Sequence, residues 1–124
     1  MLYAMFAYHL EKTINDLTPA QDEALMAGMH KVHSRLTAEG KLGPAARLGP
    51  TAKAVTIRDG LALDGPFAET KEVLLGFYVI DCKTHEEAVQ AAKDMQKANP
   101  YAVYELRPIP LYLPGVAFPV TAAE

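Results

Sequence analysis

Val73-Leu74-Leu75-Gly76-Phe77-Tyr78-Val79-Ile80-Asp81-Cys82 is mostly apolar, β-branched or aromatic, with no alternating polar face. A short run of that kind suits a central strand covered on both sides. Tyr3-Ala4-Met5-Phe6-Ala7-Tyr8 has the same character near the start of the chain. A sheet built around two such strands presents apolar surface on both of its faces.

Each run is followed by a helix. His9 to Leu17 reads as a polar connection, and Thr18-Pro19-Ala20-Gln21 then opens a helix. Thr18 can cap, Pro19 suits the first helical position and Gln21 can close a capping box. Leu25, Met29, Val32 and Leu36 follow at helical spacing and form one stripe, and Gly40 ends the helix. Thr84 to Glu87 is a second capping box. It opens a helix whose inner face is Ala88, Ala91, Ala92 and Met95, small enough for close approach to a sheet, and Asn99-Pro100 stops it.

Shorter extended pieces fill the rest. Leu42 to Leu48 is a strand candidate weakened by Gly43 and Pro44. Ala54 to Arg58 and Leu61 to Leu63 flank Asp59-Gly60, a strong hairpin signal because a type I′ turn needs positive φ at both central residues. Tyr101 to Leu106 is a last strand. The order is β–α–β–hairpin–β–α–β, an α+β chain on the ferredoxin-like split βαβ plan with an extra hairpin. That plan places both helices on one face of an antiparallel sheet. The other face stays apolar and bare, so a homodimer joined through the sheet faces is expected. Residues 1–109 form the domain. Residues 110–124 form a proline-rich tail, apolar through Leu111, Leu113, Val116 and Phe118, expected to pack on the domain or on a partner subunit.

Composition narrows the function classes. The chain has 124 residues, half of them hydrophobic, and a net charge of −3, with no Lys and Arg cluster. Direct nucleic-acid binding and docking to an anionic membrane are therefore disfavoured. The single cysteine, Cys82, excludes an intrachain disulfide and a cysteine cage for metal, and it reads as a small buried hydrophobe. Met1 to Leu10 is too short to span a membrane and lacks a basic leader, so the cytoplasm is the expected compartment.

Asp64-Gly65-Pro66-Phe67-Ala68-Glu69-Thr70-Lys71-Glu72, followed by Gly76 to Asp81, resembles the signature of the DGPF-motif branch of the YCII-related proteins. Tyr3, Tyr8, Glu39-Gly40 and Glu105-Leu106-Arg107-Pro108 extend the likeness over about residues 1 to 109. The resemblance implies a dimeric α+β barrel of ferredoxin-like subunits and says little about activity. Members of this branch are often encoded beside extracytoplasmic-function sigma factors. Other YCII-like proteins, which are candidate enzymes, carry a first-helix His paired with an Asp. Counted back from Gly40, that position falls near Met29 here, with His30 next to it.

The candidate site is the Asp64 to Glu72 segment, where Asp64, Glu69 and Glu72 lie close to Lys71. A lysine among carboxylates can hold a base ionised or orient an anionic substrate. Phe67 and Tyr78 can supply an apolar wall. The same segment also reads as a turn with solvated charges. On a helical wheel His33 flanks the Met29–Leu36 stripe and could serve as an acid–base in a helix–sheet cleft, while His30 points away. His9, at the end of the first strand, could reach that cleft from the sheet side. No third ligand is spaced for a metal, and no cofactor motif is present. Two function classes remain. One is a small-molecule-binding protein doing proton transfer or elimination on a small organic compound. The other is a non-catalytic regulatory or protein-interaction module, linked to sigma-factor-controlled transcription.

Overall fold

A computed structural model describes residues 1–120, so the last four residues of the 110–124 tail lie outside the described part. The elements are β1 (Leu2–His9), α1 (Glu11–Asn15), α2 (Pro19–Ala38), β2 (Leu42–Arg47), β3 (Val55–Arg58), β4 (Leu61–Asp64), β5 (Val73–Asp81), α3 (His85–Ala98) and β6 (Ala102–Pro108). The main sheet is antiparallel in the order β2-β5-β1-β6, and β3 and β4 form a separate two-stranded ribbon. This is the connectivity of two interleaved βαβ units, with the two apolar runs, β1 and β5, at the centre.

Local chemistry sets the element ends. The Thr18 side chain accepts from the Gln21 amide at 3.1 Å, and Gln21 Oε1 accepts from the Thr18 amide at 2.9 Å. The expected second capping box is only half formed. Thr84 accepts from the Glu87 amide, but the Glu87 carboxylate takes the Lys83 amide instead. Gly40 has φ +71°, and Asp59 and Gly60 take φ of 51° and 78°, the positive values that the hairpin turn requires. The segment expected as a bare connection after β1 instead contains α1. Its first residue, Glu11, accepts from the Thr51 amide and hydroxyl at 2.9 and 2.6 Å, so this turn of helix is pinned by a contact far away in sequence.

The core lies between the sheet and the pair α2 and α3. Tyr3, Met5, Tyr78 and Ile80 meet Met29 and Leu36 of α2 and Ala88, Ala91 and Met95 of α3. Full burial of a side chain such as Ile80 or Met95 contributes about 1.5–3 kcal/mol. Arg35 of α2 and Asp94 of α3 pair at 2.6 Å across the outer edge of the two helices. Cys82 is buried, and burial pushes its thiol up, away from the reactive thiolate.

The opposite sheet face carries Phe6 paired with Phe77 and Ala4 paired with Val79, all half-buried, with Leu74 and Val103 exposed. The ribbon exposes Val55, Ile57 and Leu61, and the tail exposes Leu111, Leu113, Val116 and Phe118. No helix among the described residues is long and apolar enough to cross a membrane.

Candidate functional site

Large side chains run out along the helix-facing side of the sheet. Three pairs follow one another across β1 and β5: Tyr3 with Ile80, Met5 with Tyr78, and Ala7 with Gly76. The first two pairs fill the space under α2, and the third cannot. The register slips between Ala7 and Tyr8, a bulge that makes Leu75 the extra residue and brings it into the same lining. Gly76 is also required by the approach of β2, since a Cβ there would lie 3.1 Å from the Ala46 carbonyl oxygen.

The outcome is a largely apolar cavity of about 220 Å³. Ala7 and Gly76 form its floor, and Leu25, Met26 and Met29 of α2 form its roof, with Ile14 of α1 beside them. The floor row continues to Arg47 on β2 and Tyr104 on β6. A dry cavity of about 150 Å³ accepts benzene, so this one suits a guest of about one substituted ring.

Two polar groups of residues stand in these walls. His33 Nε2 lies 2.9 Å from Tyr78 Oη, with the ring centroids 5.4 Å apart. Burial, and secondarily the nearby His30, holds the His33 imidazole below its ordinary value, so it is neutral near pH 7. Burial pushes the Tyr78 phenol well up, so it stays protonated. In the second group the Asn99 amide lies 3.1 Å from His9 Nε2 and donates to Tyr104 Oη at 3.3 Å. His9 is also held low, first by burial and then by Arg47, against an opposing pull from Glu72. His9 and Asn99 are 7% and 3% exposed, and His9 Nδ1 and Asn99 Oδ1 have no partner among the described residues. Buried polar atoms left open in this way mark a place where a water or ligand atom completes the hydrogen bonding.

The residues expected from sequence divide in two. His33, His9 and Tyr78 converge on the cavity. Asp64, Glu69, Lys71 and Glu72 are exposed, are not in its lining, and form no ion pair with one another. Glu69 and Lys71 instead border a shallow depression with Glu11 and Lys12. Phe67 is 77% exposed beside a wide groove of about 600 Å³ on the outer side, with the Arg58 guanidinium 5.3 Å above its ring. The physical reason is the hairpin. Asp64 ends β4 in a ribbon separate from the main sheet, and Gly65, at φ +107°, leads the segment back outside the helix-covered face.

Sequence reasoning did not select Asn99, Tyr104 or Arg47. Asn99 was legible only as a helix stop. A usable signal did exist in the alternation: Ala7 and Gly76 are the small residues in phase with Tyr3, Met5, Tyr78 and Ile80, which marks a gap on the helix-covered face.

The model of the YCII-related domain family matches residues 1–111. An uncharacterised protein of Rhizobium meliloti (strain 1021) is 46% identical over 120 residues, covering 93% of this chain and 97% of that protein. Among solved structures, the 5-chloro-2-hydroxyhydroquinone dehydrochlorinase of Burkholderia phenoliruptrix AC1100, in complex with 2,5-dihydroxybenzoquinone, is similar over 88% of this chain and 93% of its own, at 17% identity and a TM-score of 0.45. That likeness is too loose to carry chemistry across.

Proposed function

From the premise that this chain belongs to the YCII-related domain family, we propose that it is a cytoplasmic protein that binds a compact, mostly apolar organic molecule in the helix–sheet cavity and moves a proton on it. The observation that carries this is the His33–Tyr78 pair, 2.9 Å apart in the wall of an apolar cavity of one-ring size. A neutral imidazole is the state that accepts a proton, and a phenol that stays protonated is a donor. With Tyr78 donating to His33 Nε2, a ligand proton that passes to Tyr78 Oη is relayed to the imidazole. Tyr78 ends unchanged and His33 ends as the cation. Abstraction of a proton, alone or with loss of a leaving group, is the chemistry this pair suits.

A test combines binding with isotope exchange. Ring-sized fragments found by ligand-observed NMR are incubated with the protein in D2O, and deuterium incorporation at acidic C–H positions is followed. Incorporation with wild type that is lost in His33→Gln, while binding persists, supports proton transfer. Binding without incorporation favours the non-catalytic regulatory module. Fragments that bind wild type and a Met29→Trp variant equally would remove the cavity as the site.

The same proposal includes assembly as a homodimer through the bare sheet faces. Phe6, Phe77 and Val79 lie half-buried on a face that the helices do not cover, and the ribbon and tail expose further apolar side chains, which is the kind of surface that supports an interface. Light scattering should give twice the chain mass, and Phe77→Glu should give monomers. A wild-type monomer at high concentration would overturn it.

A further inference from the structure

The cavity's polar walls do not all carry the same charge, and the difference bears on what enters. Arg47 ends β2 opposite Gly76, so its side chain leaves the sheet on the helix-covered side, over the position that has no side chain of its own. It is the one Lys or Arg in the lining among the described residues. Its nearest carboxylate, Asp22 in the first turn of α2, is 3.9 Å away, and the two side chains are 65% and 44% exposed. A pair so long and so wet is readily exchanged. The guanidinium is therefore available at the rim, with the fork geometry that matches a carboxylate.

We infer that the ligand is a small organic acid, its ring-sized body over Ala7 and Gly76 and its carboxylate on the Arg47 guanidinium; this rests on the cavity being the ligand site. The field inside agrees in sign. Of the charges acting on the buried His9, Arg47 outweighs Glu72, so this end of the cavity is on balance positive. An anion entering is attracted, whereas a cation would meet the guanidinium, which Asp22 and the weaker pull of Glu72 offset only in part. Asp22 is the competitor that the ligand carboxylate displaces.

Benzoate and benzyl alcohol are the probes, since they share a ring and differ in the charged group. Both are titrated into the full-length protein and followed through the amide signals of Ala7, Met29 and Gly76. Benzoate should bind about tenfold tighter than benzyl alcohol, the size of one charge-assisted hydrogen bond, and the gap should close in Arg47→Gln. Benzyl alcohol binding should change less than about threefold in that variant, because only the uniform apolar contact remains. Asp22→Asn should tighten benzoate severalfold by removing the competitor. Equal affinities in wild type, or an unchanged benzoate affinity in Arg47→Gln, overturn the anion inference and leave the cavity as a ligand site. Failure of both probes to shift these signals overturns the inference and the cavity site together. Arg47 is exposed, so its replacement leaves the fold intact, which circular dichroism verifies.

Discussion

Replacing Ala7 by leucine should make the protein harder to unfold and at the same time unable to hold a guest. Ala7 is buried on the cavity floor between Gly76 and Tyr104, with open space above it. Three added carbons, at about 0.8 kcal/mol each, set a ceiling of about 2.4 kcal/mol. Leucine gives up roughly 0.5–1 kcal/mol of rotamer freedom, which leaves a gain of about 1.4–1.9 kcal/mol. In a domain of this size that raises Tm by roughly 4–10 °C. The same carbons project into the 220 Å³ cavity, which is only modestly larger than the about 150 Å³ that holds benzene, so a ring-sized guest no longer fits. Urea denaturation with an unchanged m-value measures the first effect, and loss of the fragment shifts measures the second. Gly76→Ala is the control. Its Cβ would meet the Ala46 carbonyl oxygen at 3.1 Å, so it should lose about 1 kcal/mol or more although it adds only one carbon to the same row. A leucine variant that is less stable than wild type and still binds the fragments would refute the cavity as both void and site.

Tyr78→Phe removes the 2.9 Å hydrogen bond to His33 and should lower stability by about 1 kcal/mol in chemical denaturation, while abolishing deuterium incorporation. His9 and His33 both lie below the ordinary imidazole value, chiefly through burial. The unfolded chain therefore binds more protons than the folded one as pH falls below about 6.5, and stability should drop from there until both folded imidazoles have titrated. Imidazole Hε1 titrations with midpoints at or above 6.5 would contradict this. Asp94→Asn breaks the 2.6 Å pair that joins α3 to Arg35 of α2. Because that pair is partly exposed, the loss should be only about 0.5 kcal/mol and should shrink in high salt, as paired melts at two salt concentrations would show.

The legible part of this protein is the local part. Thr18 and Gln21 cap α2 because a side chain three residues from an orphan amide can reach it in any context. Asp59-Gly60 turns because two positive φ values are needed and these residues tolerate them. β1 and β5 are central because neither shows a polar face. His33 was legible as a flank of the α2 stripe, and His9 as the end of β1, since helix and strand periods fix which way each points. The Asp64–Glu72 segment carried the more conspicuous motif, yet its charges lie outside the cavity. A cluster in sequence becomes a cluster in space facing a given cleft only if the chain between turns the right way.

What the sequence alone determined is where the two long helices and the central strands lie, which residues are apolar on which face, and that one face of the sheet lacks a cover from its own helices. Those properties follow from interactions within a few residues. Only the tertiary structure decided that Ala7 stands opposite Gly76, that Arg47 and Tyr104 extend that row, and that Asn99 reaches His9 from ninety residues away. These neighbours are set by strand register, by the bulge beside Ala7 and by the seating of α2 on the sheet. All three depend on how the whole core packs, and no local propensity encodes that.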